Sequence, residues 1–285
     1  MRYVMLHYHI LKNAGTTVER ILARNFSQDY TRLDTADRDG LLSNEDLLAF
    51  LNGRAEIAAV SSHHIRYPVP AAPGFVFFDV CFLRDPIDRI RSMYDFFREK
   101  PAPADPVSEL ANASGLGRFV ARMVEEFPHF VNDAQVVLIA NGSVYDHPPG
   151  ELDLERATGT MLRSSLPGVV DRFEESLVAG QYFLGPVFSN LDCAAVPVNV
   201  SRRAGSSLRS RLREVRRACG ARLYSQLESL NELDYKLLKR TRSEVLRRYG
   251  LVPDREARLS LLRARIRMLA EQQGGNPDRA MAYAG

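Results

Sequence analysis

Tyr3-Val4-Met5-Leu6-His7-Tyr8-His9-Ile10-Leu11-Lys12-Asn13-Ala14-Gly15-Thr16-Thr17 is the stretch that decides the fold. Its first half, from residue 2 to Tyr8, is an apolar run that reads as a buried strand. A loop of small residues with a single lysine follows. Val18, Ile21 and Leu22 then recur at helical spacing, which predicts a helix over 16–26. Strand, short loop and helix make a phosphate cradle. The first N–H groups of the helix lack intrahelical partners, and the helix dipole favours an anion there. Lys12 adds a full positive charge, and Gly15 lets backbone approach a phosphate closely. The residue order excludes one version of this device. A nucleoside-triphosphate loop places its lysine after the second glycine, in G-x-x-x-x-G-K-[ST], whereas Lys12 precedes Gly15 here.

Outward from this loop, Ile57–Ser61 predicts a second strand. Phe75–Leu83, long and apolar, predicts a central parallel one. A helix over 86–99 follows, with Pro86 in its first turn. Residues 107–127 and 132–140 read as helical and 142–150 as a loop. A helix over 151–162, a short strand over 168–171 and a helix over 174–183 complete the pattern. Residues 190–207 are irregular, and helices dominate from there to about residue 270. Strands alternating with helices imply a parallel sheet with right-handed crossovers. Leu259, Leu262, Ile266 and Leu269 form a stripe that either packs on its own domain or serves as a homodimer seam. Two heptads do not make a coiled coil.

Length and composition are those of a globular α/β chain: 285 residues, 45% hydrophobic and 26% charged. A net charge of +3 gives no case for nucleic acid or a membrane surface as partner. Only four of the 38 basic residues are lysines (Lys12, Lys100, Lys236 and Lys239), which makes a lysine in the cradle less incidental. Cys81, Cys193 and Cys219 have no metal or redox spacing. There is no charged leader and no apolar run of membrane-spanning length, so a cytoplasmic protein without an integral membrane segment is expected. The four N-x-[ST] sequons, at Asn25, Asn112, Asn141 and Asn199, are read as chance.

The lysine-first loop His9-Ile10-Leu11-Lys12-Asn13-Ala14-Gly15-Thr16-Thr17 resembles the "H-I-P-K-T-A/G-G-T-T" loop of carbohydrate-type sulfotransferases, the group that includes the heparan sulfate 2-O-sulfotransferases. Phe82-Leu83-Arg84-Asp85-Pro86-Ile87-Asp88-Arg89-Ile90-Arg91-Ser92-Met93-Tyr94 is similar to that group's second signature, "L-R-D-P-x-x-R-x-x-S-x-Y". Two weaker echoes follow in family order: Val169–Leu177, similar to "G-x-x-E-R-F-D-E-S-L", and Asn199–Arg203, similar to "L-N-x-S". The resemblance implies a P-loop-like three-layer α/β fold with a helical C-terminal part, a sulfotransferase domain over 1–253, and a C-terminal helix and tail over 254–285. It implies 3′-phosphoadenosine 5′-phosphosulfate (PAPS) as co-substrate, and no metal. Leu11 stands where the family has proline, and Asn13 where it has threonine or serine.

By this resemblance the cradle of Asn13, Ala14, Gly15, Thr16 and Thr17 receives the 5′-phosphosulfate. Lys12 faces the bridging oxygen of the leaving phosphate. Arg84 and Ser92 hold the 3′-phosphate, for which arginine offers a planar fork. Arg89 is expected to pair with Asp85 at i,i+4. In the late loop with Ser201, Arg202 and Arg203 either close over the nucleotide or form a solvated pair. The family often shows "G-H-x-x-Y" after the second strand, which places the general base on His64, three residues before Tyr67. His63 then shapes the acceptor side. Histidine titrates in the right range for a base, though some relatives use a glutamate. The acceptor implied is a hydroxyl on a glycan, a glycolipid or a secondary metabolite. The alternatives are a small-molecule kinase using ATP and magnesium, and a non-catalytic nucleotide-binding protein.

Overall fold

The computed structural model describes residues 1–37, 40–99, 105–197 and 207–274. In chain order the elements are β1 (Arg2–Tyr8), α1 (Gly15–Phe26), β2 (Tyr30–Arg32), α2 (Asn44–Gly53), β3 (Ala59–Ser62), β4 (Phe75–Leu83) and α3 (Pro86–Glu99). Then come α4 (Pro106–Ala113), α5 (Leu116–Glu126), α6 (Ala134–Asn141), α7 (Glu151–Arg163), β5 (Leu166–Val169) and α8 (Phe173–Leu184). The C-terminal part is helical: α9 (Leu208–Leu230), kinked at Gly220 where φ is 71°, α10 (Glu232–Leu251) and α11 (Arg255–Gln272).

The five strands form one parallel sheet in the order β2-β3-β1-β4-β5. β1 pairs with β3 on one side, Tyr8 against Ser62, and with β4 on the other, Tyr8 against Cys81. Alternate residues feed two cores. Val4, Leu6, Tyr8, Cys81 and Leu83 face a cluster with residues of α2, α6, α7 and α10. Met5, Val80 and Phe82 face a cluster with residues of α1, α8 and α11. Both faces are therefore covered, as an all-parallel sheet requires. A third cluster joins α3, α4, α5 and α9. After β1 the chain winds one way to β2 and β3, then crosses to β4 and β5. The reversal puts a topological switch point at the C-terminal end of β1, where open α/β sheets bind ligands.

The structure corrects several details of the sequence reading. β2 and α2 had no counterpart in it. α2 carries a capping box: the Ser43 hydroxyl accepts from the Asp46 N–H (3.0 Å), and the Asp46 carboxylate accepts from the Ser43 N–H (3.3 Å). The 107–127 helix breaks at Ser114–Gly115 into α4 and α5. The short strand runs over Leu166–Val169, because Val170–Arg172 turns into a 3₁₀ helix. The stripe on α11 is used within the chain: Leu259, Leu262 and Ile266 are buried in the α1–α8 cluster, with Leu269 packed against it. Among the described residues no helix is long and apolar enough to cross a membrane.

Candidate functional site

The loop from β1 to α1 is pinned at both ends. The His9 N–H donates to the Ser62 carbonyl (2.9 Å), and the Thr17 N–H to the Ala14 carbonyl (2.9 Å). Between them Lys12 (φ 67°) and Ala14 (φ 62°) take left-handed conformations that non-glycine residues avoid. Each costs roughly 1–3 kcal/mol, strain that clusters at ligand sites. Alternating left-handed residues followed by a helix start give a nest of backbone N–H groups suited to an anion.

Gly15 has a local reason to be glycine. A Cβ there would overlap the imidazole of His9. That ring is fixed by the hydrogen bond between its Nδ1 and Glu19 Oε1 (2.9 Å) and by contact with the His7 and His63 rings, at centroid distances of 5.1 and 3.8 Å.

The second signature meets the first across one small cavity of about 90 Å³. Its walls include Lys12, Ala14, Gly15 and Thr16 from the first signature, and Arg84 and Ser92 from the second. The Lys12 ammonium lies 4.3 Å from the centre of the Phe96 ring. Arg84 donates from Nη1 to the Lys12 carbonyl (3.0 Å), and from Nε and Nη2 to Asp88 Oδ2 (2.8 and 2.7 Å). Arg211 on α9 donates to both oxygens of Asp88, from Nε to Oδ1 (2.7 Å) and from Nη2 to Oδ2 (3.1 Å). Burial works against ionisation of Asp88, yet the two arginines hold its carboxyl below the usual range.

The side chain of Asn13 is not part of that cavity. Its Nδ2 is buried under the loop and donates to the Phe82 carbonyl (2.7 Å) and to Gln135 Oε1 (2.8 Å). Gln135 also accepts from the Arg84 N–H and donates to the Arg84 carbonyl, both at 3.0 Å. It thus clamps the two signature loops together, a role no motif signalled. The Thr17 side chain is fully buried and likewise off the cavity wall. Ser201, Arg202 and Arg203 lie outside the described residues. The expected Arg89–Asp85 pair does not form. Asp85 caps α3 by accepting the Asp88 N–H (2.9 Å), whereas Arg89 donates to the carbonyls of Leu11 (3.1 Å) and Phe130 (2.9 Å). The i,i+4 ion pair is Arg84–Asp88 instead.

The two histidines after β3 differ sharply. His63 borders the small cavity and also a larger one of about 660 Å³, which shares His9, Leu11, His63 and Phe96 with it. Its Nδ1 donates to the His9 carbonyl (2.8 Å), which leaves the proton-accepting lone pair on Nε2. Its backbone N–H donates to Asp34 Oδ1 (2.8 Å). Burial, with the His9 ring beside it, pushes its pKa down to about 4, so the ring is neutral at pH 7. His64 lines the larger cavity only. Its Nδ1 accepts the Thr35 N–H (2.8 Å), which places its proton on Nε2. The Nδ1 lone pair of that tautomer is already engaged by Thr35. Tyr67, used to set the histidine register, is core: it stacks on Tyr8 at 3.9 Å and donates to Asp79 (2.9 Å).

Glu19 and Asp34, which orient His9 and His63, were not visible in the sequence. Each reaches its histidine from another element: Glu19 from α1, and Asp34 from the loop after β2. The Val169–Leu177 echo is structural, with Ser176 Oγ accepting the Val169 N–H (3.2 Å) and donating to the Arg172 carbonyl (2.7 Å).

No family model matches the chain. It is 25% identical over 244 residues to a protein of Archaeoglobus fulgidus described only as uncharacterised, a match spanning 83% of this chain and 94% of that protein. The likeness extends over nearly the whole of the archaeal protein and attaches no activity to the site.

Proposed function

We propose that the chain is a PAPS-dependent O-sulfotransferase. The observation that carries this reading is the single small cavity lined by Lys12, the start of α1, Arg84 and Ser92. The groups fit an anion. The lining has a lysine, an arginine, two hydroxyl residues and helix N–H groups, and among the described residues no carboxylate. The bound co-substrate supplies a sulfuryl group, which passes to an acceptor hydroxyl with release of 3′-phosphoadenosine 5′-phosphate (PAP).

The residues divide the work of an in-line displacement, in which positioning and electrostatics dominate. Lys12 neutralises charge on the departing phosphate oxygen. The N–H groups of residues 14–16 and the Thr16 hydroxyl hold the same phosphate. Arg84 and Ser92 receive the 3′-phosphate, with Arg84 oriented by Asp88 and the Lys12 carbonyl. His63 is the base, because it alone of the pair borders both cavities and keeps Nε2 available. As the new O–S bond forms, the hydroxyl proton passes to Nε2. The resulting cation lies beside the departing anion, and that anion raises the affinity of the ring for the proton. His64 supports the acceptor side. A protein carrying out this chemistry with Lys12 and helix N–H groups as its cationic field needs no metal.

The experiment is transfer of a labelled sulfuryl group from PAPS to a panel of alcohols in EDTA. Transfer under chelation supports the reading. Phosphate transfer from ATP that depends on magnesium rejects it in favour of a kinase.

A further inference from the structure

The larger cavity has an unusual wall. Among the described residues it holds Arg66 and Arg89 but no Asp, Glu, Asn or Gln; the rest of its surface mixes apolar side chains, among them Phe96, Phe130 and Leu138, with four histidines, Ser143 and Tyr145. Arg66 is fixed by carbonyls alone: Nε donates to Gly142 (3.1 Å), and Nη1 to His63 (2.6 Å) and Ile65 (2.9 Å). Among the described residues it has no ion pair, and burial lowers its pKa. Arg89 is likewise held by two carbonyls, with the buried Asp234 acting on it through space. Carbonyl bonds orient a guanidinium without neutralising it. A half-buried cation with no acid opposite favours an anion entering the cavity. A sugar presents several hydroxyls, which carboxylate and amide side chains would satisfy, and among the described residues this wall has neither. A volume of about 660 Å³ lies in the range of small-molecule sites, about 300–1,000 Å³.

We propose that the acceptor bound in this cavity is a small aryl alcohol carrying its own anionic group, with the anion on the Arg66 guanidinium and the ring against Phe96 and Phe130. This rests on the sulfuryl-transfer reading, and it selects a small metabolite over a glycan. The hydroxyl is presented to His63, whose ring is common to both cavities.

The test uses the full chain with labelled PAPS and matched probes: 4-hydroxyphenylacetate, its methyl ester, 4-hydroxyphenyl phosphate, methyl β-glucuronide and a heparin tetrasaccharide. A lost hydrogen bond to a charged group changes affinity about ten- to hundred-fold. The carboxylate or the phosphate probe should therefore exceed the neutral ester by about that factor in kcat/KM, and the better of the two identifies the anion. Arg66→Gln should collapse the preference, and Arg66→Lys should restore part of it. Equal use of acid and ester, or a higher kcat/KM for the glucuronide or the tetrasaccharide, overturns the proposal. So does failure of both anionic aryl probes to bind at millimolar concentration with PAP present. The wild-type comparison needs no variant to fold. PAP binding is measured separately by calorimetry: its absence rejects the donor reading, whereas PAP binding without anion preference rejects the acceptor proposal alone.

Discussion

Gly15→Ala is a small perturbation with a large expected effect. The new Cβ would overlap the His9 imidazole, which cannot turn aside without leaving Glu19 and the rings of His7 and His63. Overpacking a close contact costs about 1–3 kcal/mol. Expelling the ring would lose a charge-assisted hydrogen bond worth roughly 1.5–3 kcal/mol. Better helix propensity returns at most about 1 kcal/mol. A net loss of about 2–3 kcal/mol lowers the melting temperature by roughly 3–5 °C for a chain of this size. The cradle moves with the ring, so calorimetric affinity for PAP should fall by more than about ten-fold, the loss of one charged contact. His9→Ala in the same chain removes the obstacle. The double variant should then be less damaged than the two singles combined, by at least about 1 kcal/mol of coupling. A Gly15→Ala protein that melts within about 1 °C of wild type, binds PAP within about two-fold and shows additive behaviour with His9→Ala would refute the reasoning.

Other substitutions have equally definite expected outcomes. His63→Ala should lower turnover by about 10²–10⁴, as removal of a general base does, and leave PAP affinity within a few-fold. His64→Ala should retain most activity. Because burial and His9 hold the His63 pKa at about 4, the acid limb of kcat/KM should lie near there, with activity flat between pH 5 and 7; a midpoint near 6.5 would point to a different base. Arg84→Ala should weaken PAP about ten- to hundred-fold while barely affecting 5′-AMP, and an equal loss for both ligands would remove Arg84 from the 3′-phosphate. Asp133, where burial and the Asp234 carboxylate raise the pKa to about 7, contributes stability below its unfolded value that is lost as pH rises through 7. Asp133→Asn keeps the acceptor for the Asp234 N–H and suits the left-handed backbone (φ 44°), so it should raise the melting temperature at pH 8 and not at pH 4.

The sheet was legible because its strands obey simple rules. Phe75–Leu83 is long, apolar and β-rich, and it forms the strand over those residues. Pro86 at a helix start and the Val18-Ile21-Leu22 spacing placed α3 and α1 equally well. β2 was illegible because three residues, two half-buried and one exposed, carry no periodicity. α2 carries its local signal in the Ser43–Asp46 capping box.

In the site, the lysine, glycine, arginine and serine were read from local order, and the fold brings them to one cavity. Local order does not show the hydrogen bonds between distant segments that fix the remaining side chains. Asn13 turns inward because Gln135 and the Phe82 carbonyl, far along the chain, can satisfy its amide. The choice between His63 and His64 turns on the His9 carbonyl and the Thr35 N–H, and adjacent residues give no hint of either.

The central claim is that Lys12, the α1 start, Arg84 and Ser92 form one site for a nucleotide phosphorylated at both its 3′ and 5′ ends. The most direct measurement is calorimetric titration of PAP into the full chain in EDTA, with 5′-AMP and ATP plus magnesium as comparisons. The account predicts saturable one-to-one binding of PAP without metal, at least about ten-fold tighter than 5′-AMP, since the 3′-phosphate adds a charged contact. Absence of PAP binding, or tighter binding of ATP that requires magnesium, would contradict it.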